Sequence, residues 1–195
     1  MLNFDFDPEK HEYSRGGVVI PSVTQILQGV GLVQYDGIDP WILQHKAAIG
    51  KAVDLACTYY DQGVLDTVPD LYAGYVEAWK KFTKDTRIEI EFIRYQKLAE
   101  LDGMYYGMEA DRGGTINGQR YVIDIKTTVK EEVSWRYQLA AYEIGLGGVW
   151  TRMAVQLRED GTYRTYTYKD KRDAAVFRAA LLLTYAKIQG GLKWK

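Results

Sequence analysis

Gly107-Met-Glu-Ala-Asp-Arg-Gly-Gly-Thr-Ile-Asn-Gly-Gln-Arg-Tyr-Val-Ile-Asp-Ile-Lys126 is the stretch from which the rest of the chain is read. Asn117-Gly118 lies between two β-favouring runs, and both central residues of a type I′ turn need positive φ, so this dipeptide predicts a two-residue hairpin. Ile116 then faces Gln119. Counting outward in antiparallel register sets Asp111 opposite Asp124, with Cβ atoms roughly 4.5–5.5 Å apart. Side chains alternate along a strand, so Lys126 shares the face of Asp124, while Tyr121, Ile123 and Ile125 turn to an apolar layer on the other side. Two features leave alternatives open. Gly113-Gly114 can insert a bulge that slides the acids out of opposition, and Glu109 falls opposite Lys126, where it would make a plain cross-strand ion pair.

Facing carboxylates repel, so the arrangement makes physical sense mainly with a cation between them. Two acids beside an amine suit metal-assisted phosphodiester hydrolysis: a divalent ion polarises the phosphate and lowers the pKa of water, and the lysine orients or deprotonates the nucleophile. Against this stands a plainer reading, in which an Asp-x-Lys triplet is a solvated strand edge.

At 195 residues, with no linker, repeat or low-complexity run, the chain reads as one domain over 1–195. No run is apolar enough to span a bilayer, and the start lacks the basic flank and apolar core of a secretion signal, so a cytoplasmic protein without membrane contact is expected. Cys57 is the single cysteine, which excludes disulfide frameworks, cysteine-rich zinc sites and iron–sulfur clusters. The net charge of −1 gives no global pull toward a polyanion. Its distribution is uneven: residues 150–195 carry ten Lys/Arg against four Asp/Glu, and Arg152, Arg158, Arg164, Lys169, Lys171 and Arg172 could track a phosphate backbone.

Outward from the hairpin, residues 3–20 read as a small ribbon, and Ser22 as the N-cap of a short helix closed by Gly29 and Gly31. A longer helix follows Pro40, with Asp54 embedded in its apolar face, where an ionised acid needs a partner or a metal. A third helix spans about 70–84. Ile88–Ile93 alternates as a strand, so that Glu89 or Glu91 could point toward the site. After Lys126 comes a helix through Trp135–Glu143, on which Gln138 and Tyr142 share a face as i and i+4 and could hold a phosphate or water. Strands near 149–157 and 162–168 form a second hairpin, and a helix over Asp173–Gln189 closes the chain.

Gly107-x-x-x-Asp111, Asp124-x-Lys126 and Gln138-x-x-x-Tyr142, in this order, resemble the motif succession of the PD-(D/E)XK nuclease superfamily in its RecB-like and phage exonuclease branch. Pro21-Ser-Val-Thr24 and Ile49-Gly-Lys-Ala-Val-Asp54 are similar to further segments of that branch, and together the likeness covers most of the chain. Asp54 stands where relatives carry a metal-binding histidine, and Glu109 where they tend to have a small or apolar residue. The resemblance implies an α/β, restriction-endonuclease-like core with a central mixed sheet flanked by helices. It further implies Mg²⁺ or Mn²⁺ held by Asp111, Asp124 and the Ile125 carbonyl, with Asp54 and Glu91 as outer or second-metal contacts. Lys126 would handle the water and Gln138 and Tyr142 would position phosphate or nucleophile, with Arg112, Lys130, Arg136 and Arg152 on the DNA backbone. The expected activity is DNA hydrolysis, as an exonuclease in phage or prophage recombination or repair, in the host cytoplasm, with homo-oligomers and an annealing or recombination protein as partners. A structure-specific endonuclease, a weakened DNA-binding module and an assembly protein are the alternatives.

Overall fold

The computed structural model describes residues 4–33, 37 and 39–194; Asn3, first residue of the expected N-terminal ribbon, and the Met1-Leu2 start lie outside the described residues. Strands β1 (Asp5–Asp7), β2 (Glu12–Arg15) and β3 (Val18–Ile20) form a small antiparallel sheet, followed by helices α1 (Val23–Gly29), α2 (Pro40–Asp61) and α3 (Asp70–Thr86). Strands β4 (Glu89–Leu101), β5 (Met104–Ile116) and β6 (Gln119–Lys126) lead through α4 (Ser134–Leu146) to β7 (Thr151–Leu157), β8 (Tyr163–Tyr168) and α5 (Arg172–Gln189). The main sheet has the order β4-β5-β6-β7-β8; only β6 and β7 run parallel, as the α4 crossover between them requires. This is the mixed, helix-flanked α/β sheet expected.

Local chemistry sets the element ends. Ser22 caps α1 in a capping box with Gln25, and Asp39 caps α2 with Pro40 in its first turn. Asn117 and Gly118 both have positive φ, and Ile116 pairs with Gln119, so the hairpin and its register are as read from the sequence. The sequence reading falls short at β4. Instead of ending near Ile93, this strand runs on to Leu101 and turns through Asp102-Gly103, again with positive φ at both positions, into an equally long β5.

Alternation on β6 feeds two cores. Val122 joins the layer of α1, α4 and α5, with Trp135, Leu139 and Phe177, while Ile123 joins the layer of α2 and α3, with Val53, Trp79 and Phe82. Each such burial contributes about 1.5–3 kcal/mol, so a one-residue slip would forfeit both layers. Strand β5 departs from this regularity: Met108 and Ala110 pack in the first layer, but Arg112 and Ile116, also even-numbered, face the α2–α3 side. The change of face falls at Asp111.

Candidate active site

At that change of face the chain opens a cleft of about 270 Å³. Its floor is β5 and β6, with Asp111, Asp124, Ile125 and Lys126; α4 supplies Gln138 and Tyr142, α2 supplies Gly50, Lys51 and Asp54, and Tyr13 of β2 and Ser22, the N-cap of α1, close it from the N-terminal side. Gly107 makes the last wall possible. A Cβ there would lie 2.2 Å from the Tyr13 ring, and the Gly107 amide donates to the Pro21 carbonyl, tying ribbon to floor.

Pairing between β5 and β6 runs without a bulge from Ile116–Gln119 to Arg112–Ile123, so Gly113-Gly114 does not displace the register; the irregularity lies on β4, between Ile90 and Phe92. One step beyond Arg112, the Asp111 Oδ2 accepts from the Ile125 amide at 2.7 Å. Burial raises the Asp111 pKa well above the ordinary value, and the neighbouring charges of Asp124 and Asp54 raise it further. Asp124 is 4% exposed; its Oδ2 lies 2.5 Å from Lys126 Nζ as an ion pair and has no aligned hydrogen-bond donor. Lys126 donates to Gln138 Oε1 at 2.8 Å, and Gln138 Nε2 to the Tyr142 hydroxyl at 2.8 Å. Burial works against the Lys126 ammonium, but the Asp124 carboxylate outweighs it and its pKa rises above the usual lysine value. Burial likewise pushes the Tyr142 phenol well up, so it stays protonated.

The residues present suit a hard divalent cation. Two convergent carboxylates answered by a single ammonium, that of Lys126 on Asp124, leave a repulsive pair that a hard cation would compensate. No set of three or more His, Cys, Asp or Glu side chains gathers for a metal among the described residues, so phosphate and water would complete the shell, as is usual for Mg²⁺.

The other expected residues divide. Asp54 lines the cleft but lies 3.3 Å from Arg112 Nη1 and 3.8 Å from Arg94 Nε. Glu109 does not pair with Lys126; it takes Arg94 at 2.7 Å. Glu91 is corrected as a metal contact: it sits at the β4 irregularity, toward the Asn117-Gly118 turn, where Arg120 holds it at 2.6 Å and lowers its pKa. Arg112 is corrected as a DNA contact, because it is wholly buried, donating to Asp61 at 2.5 Å, Thr58 at 3.0 Å and the Asp111 carbonyl at 2.7 Å. Arg152 is corrected for the same reason, buried between Asp173 at 2.9 Å and Glu143 at 3.2 Å. Arg136 is partly exposed and paired with Asp173, whereas Lys130 is exposed on the loop after β6. Lys51 was missed by sequence reasoning; its signal is the i, i+3 spacing to Asp54, which puts both on one helix face.

No family model matches the sequence, and a comparison with curated proteins finds no match either. Solved structures do match. A candidate exonuclease from Eubacterium rectale superposes with TM-score 0.57 over 87% of this chain and 80% of its own, at 12% identity. An alkaline exonuclease from Laribacter hongkongensis superposes with TM-score 0.51 over 88% and 89%, at 11% identity. The mixed five-stranded sheet between two helical layers is therefore the fold shared with these two solved structures.

Proposed function

We propose that the chain is a metal-dependent DNA nuclease, acting as an exonuclease in the recombination or repair of phage or prophage DNA. The observation that carries this reading is the convergence of partly buried Asp111 and buried Asp124 beside Lys126 in one cleft, in a chain whose fold is that of known exonucleases. Asp111, Asp124 and the Ile125 carbonyl would hold Mg²⁺ or Mn²⁺, which when bound supplies phosphate polarisation and a lower pKa for the attacking water. Lys126, fixed by Asp124 and Gln138, presents a charged donor to that water or to a phosphate oxygen. Gln138 transmits the position of Tyr142 to Lys126 through two hydrogen bonds, so α4 sets the orientation of the amine rather than contributing a base. The α4 residues thus act as positioning groups.

Purified protein is expected to degrade linear DNA with Mg²⁺ or Mn²⁺ and to stop with chelator. Asp124→Ala or Lys126→Ala should each lower the rate by about two orders of magnitude or more. Activity that survives both substitutions removes the assigned site, and equal attack on linear and covalently closed circular DNA replaces exonuclease with endonuclease. One observation favours a second reading, a DNA-binding module with a weakened centre: Asp54 is engaged by two guanidinium groups of the chain itself. Salt-sensitive DNA binding without cleavage under any divalent ion would select it.

A further inference from the structure

Arg94 occupies an unusual place in the sheet. On either side of it β4 pairs regularly with β5, Ile93 with Arg112 and Tyr95 with Ala110, so Arg94 stands across from Asp111, where the pairing is interrupted. Its φ is +49°, in the left-handed region that an L-residue inside a strand adopts only when something holds it there. The backbone turn sends its guanidinium to Glu109 and Asp54, two carboxylates of the cleft.

The contact is one-sided. Nε and Nη2 both reach the same oxygen, Glu109 Oε1, at 2.7 Å, leaving Nη1 without a partner among the described residues, and the side chain remains 45% exposed. A half-exposed ion pair contributes less than a left-handed arginine costs, so stability alone does not account for the conformation. Arg112 shows the contrast: it is wholly buried and its three nitrogens are all occupied. A planar fork with a free edge, beside two acids that face an anion-processing cleft, has the geometry of a phosphate clamp at rest.

We propose that Arg94 is a phosphate-binding residue of the cleft, held by Glu109 and Asp54 until a DNA phosphate takes their place. This rests on the nuclease reading and adds to it a subsite for a phosphate neighbouring the one at Asp111 and Asp124. Glu109 is then a competitor for the arginine, which gives a use to an acid that otherwise adds repulsion to a site for polyanions.

The test is binding of a short fluorescein-labelled DNA duplex in EDTA, followed by anisotropy over a range of salt. Arg94→Ala should weaken binding about tenfold and make the log–log salt dependence about one unit shallower, while still unfolding cooperatively. Glu109→Gln should tighten binding, but not in the Arg94→Ala background. In parallel, the ¹⁵N resonance of Arg94 Nε in the unaltered protein should move saturably with inorganic phosphate. Unchanged affinity and salt slope in Arg94→Ala, or an Nε resonance indifferent to phosphate, overturns the proposal. If the unaltered protein neither binds the duplex in EDTA nor cleaves linear DNA with Mg²⁺ or Mn²⁺, the nuclease reading falls by itself, and the phosphate titration alone decides the subsite.

Discussion

Asp54 and Glu109 line the same cleft as Asp111 and Asp124, yet the two pairs are compensated differently. The first pair lies against Arg94 and Arg112, guanidinium groups supplied by β4 and β5. In the second, Asp124 meets one ammonium, and Asp111 makes no ion pair among the described residues, accepting only the Ile125 amide. Covalently attached cations have already answered the charge on the α2 side, and the demand for an external one is confined to the β5–β6 side. On the metal-dependent reading proposed above, the cleft would hold one divalent ion rather than two.

The sharpest way to break this comparison is to remove the internal cation. Arg112 and Asp61 are both buried, and burial already raises the Asp61 pKa against the pull of the arginine. Arg112→Met would strand Asp61 and expose Asp54 to Asp111, at a cost of about 3–5 kcal/mol. Urea unfolding measures it, and adding Asp61→Leu should recover most of the loss. A single substitution that leaves the unfolding midpoint in place would show that the α2 side does not depend on its arginine.

External cations provide the next largest effect. At a hundredfold excess over its dissociation constant, Mg²⁺ or Mn²⁺ should stabilise the unaltered protein by about 2.7 kcal/mol. Asp124→Ala should abolish that gain. Calorimetric titration with Mn²⁺ should give one ion per chain; two would mean that Asp54 leaves its arginines and joins a second site.

Much of this contrast was legible in the sequence, but unevenly. Asn117-Gly118 determined the register because its turn type allows little else, and period-two alternation then put Asp124 and Lys126 on one face. Gln138 and Tyr142 followed from helical spacing and are joined by a hydrogen bond. The second half of β4 was not legible, since Arg94 to Glu100 lacks alternation, although Asp102-Gly103 carried the same turn signal as Asn117-Gly118. Arg112 and Arg152 were misread as surface because an arginine's burial depends on carboxylates distant along the chain, Asp61 and Asp173. The change of face at Asp111 left no mark in the residue pattern.

The smallest expected effect concerns Glu91, an acid on the same strand as Arg94 but outside the cleft. Its pair with Arg120 is short yet about half exposed, and Arg120 also lies 3.7 Å from the centroid of the Trp150 ring, which retains the guanidinium whether or not the acid is charged. Glu91→Gln should therefore cost under about 1 kcal/mol in urea unfolding. The same variant should keep the single Mn²⁺ and the metal dependence of cleavage, because no charge near Asp111 and Asp124 has changed. A lost or weakened ion would bring Glu91 back to the centre and require β4 to shift its irregularity by a residue, carrying Arg94 away from Glu109 and removing the contrast between the two sides of the cleft.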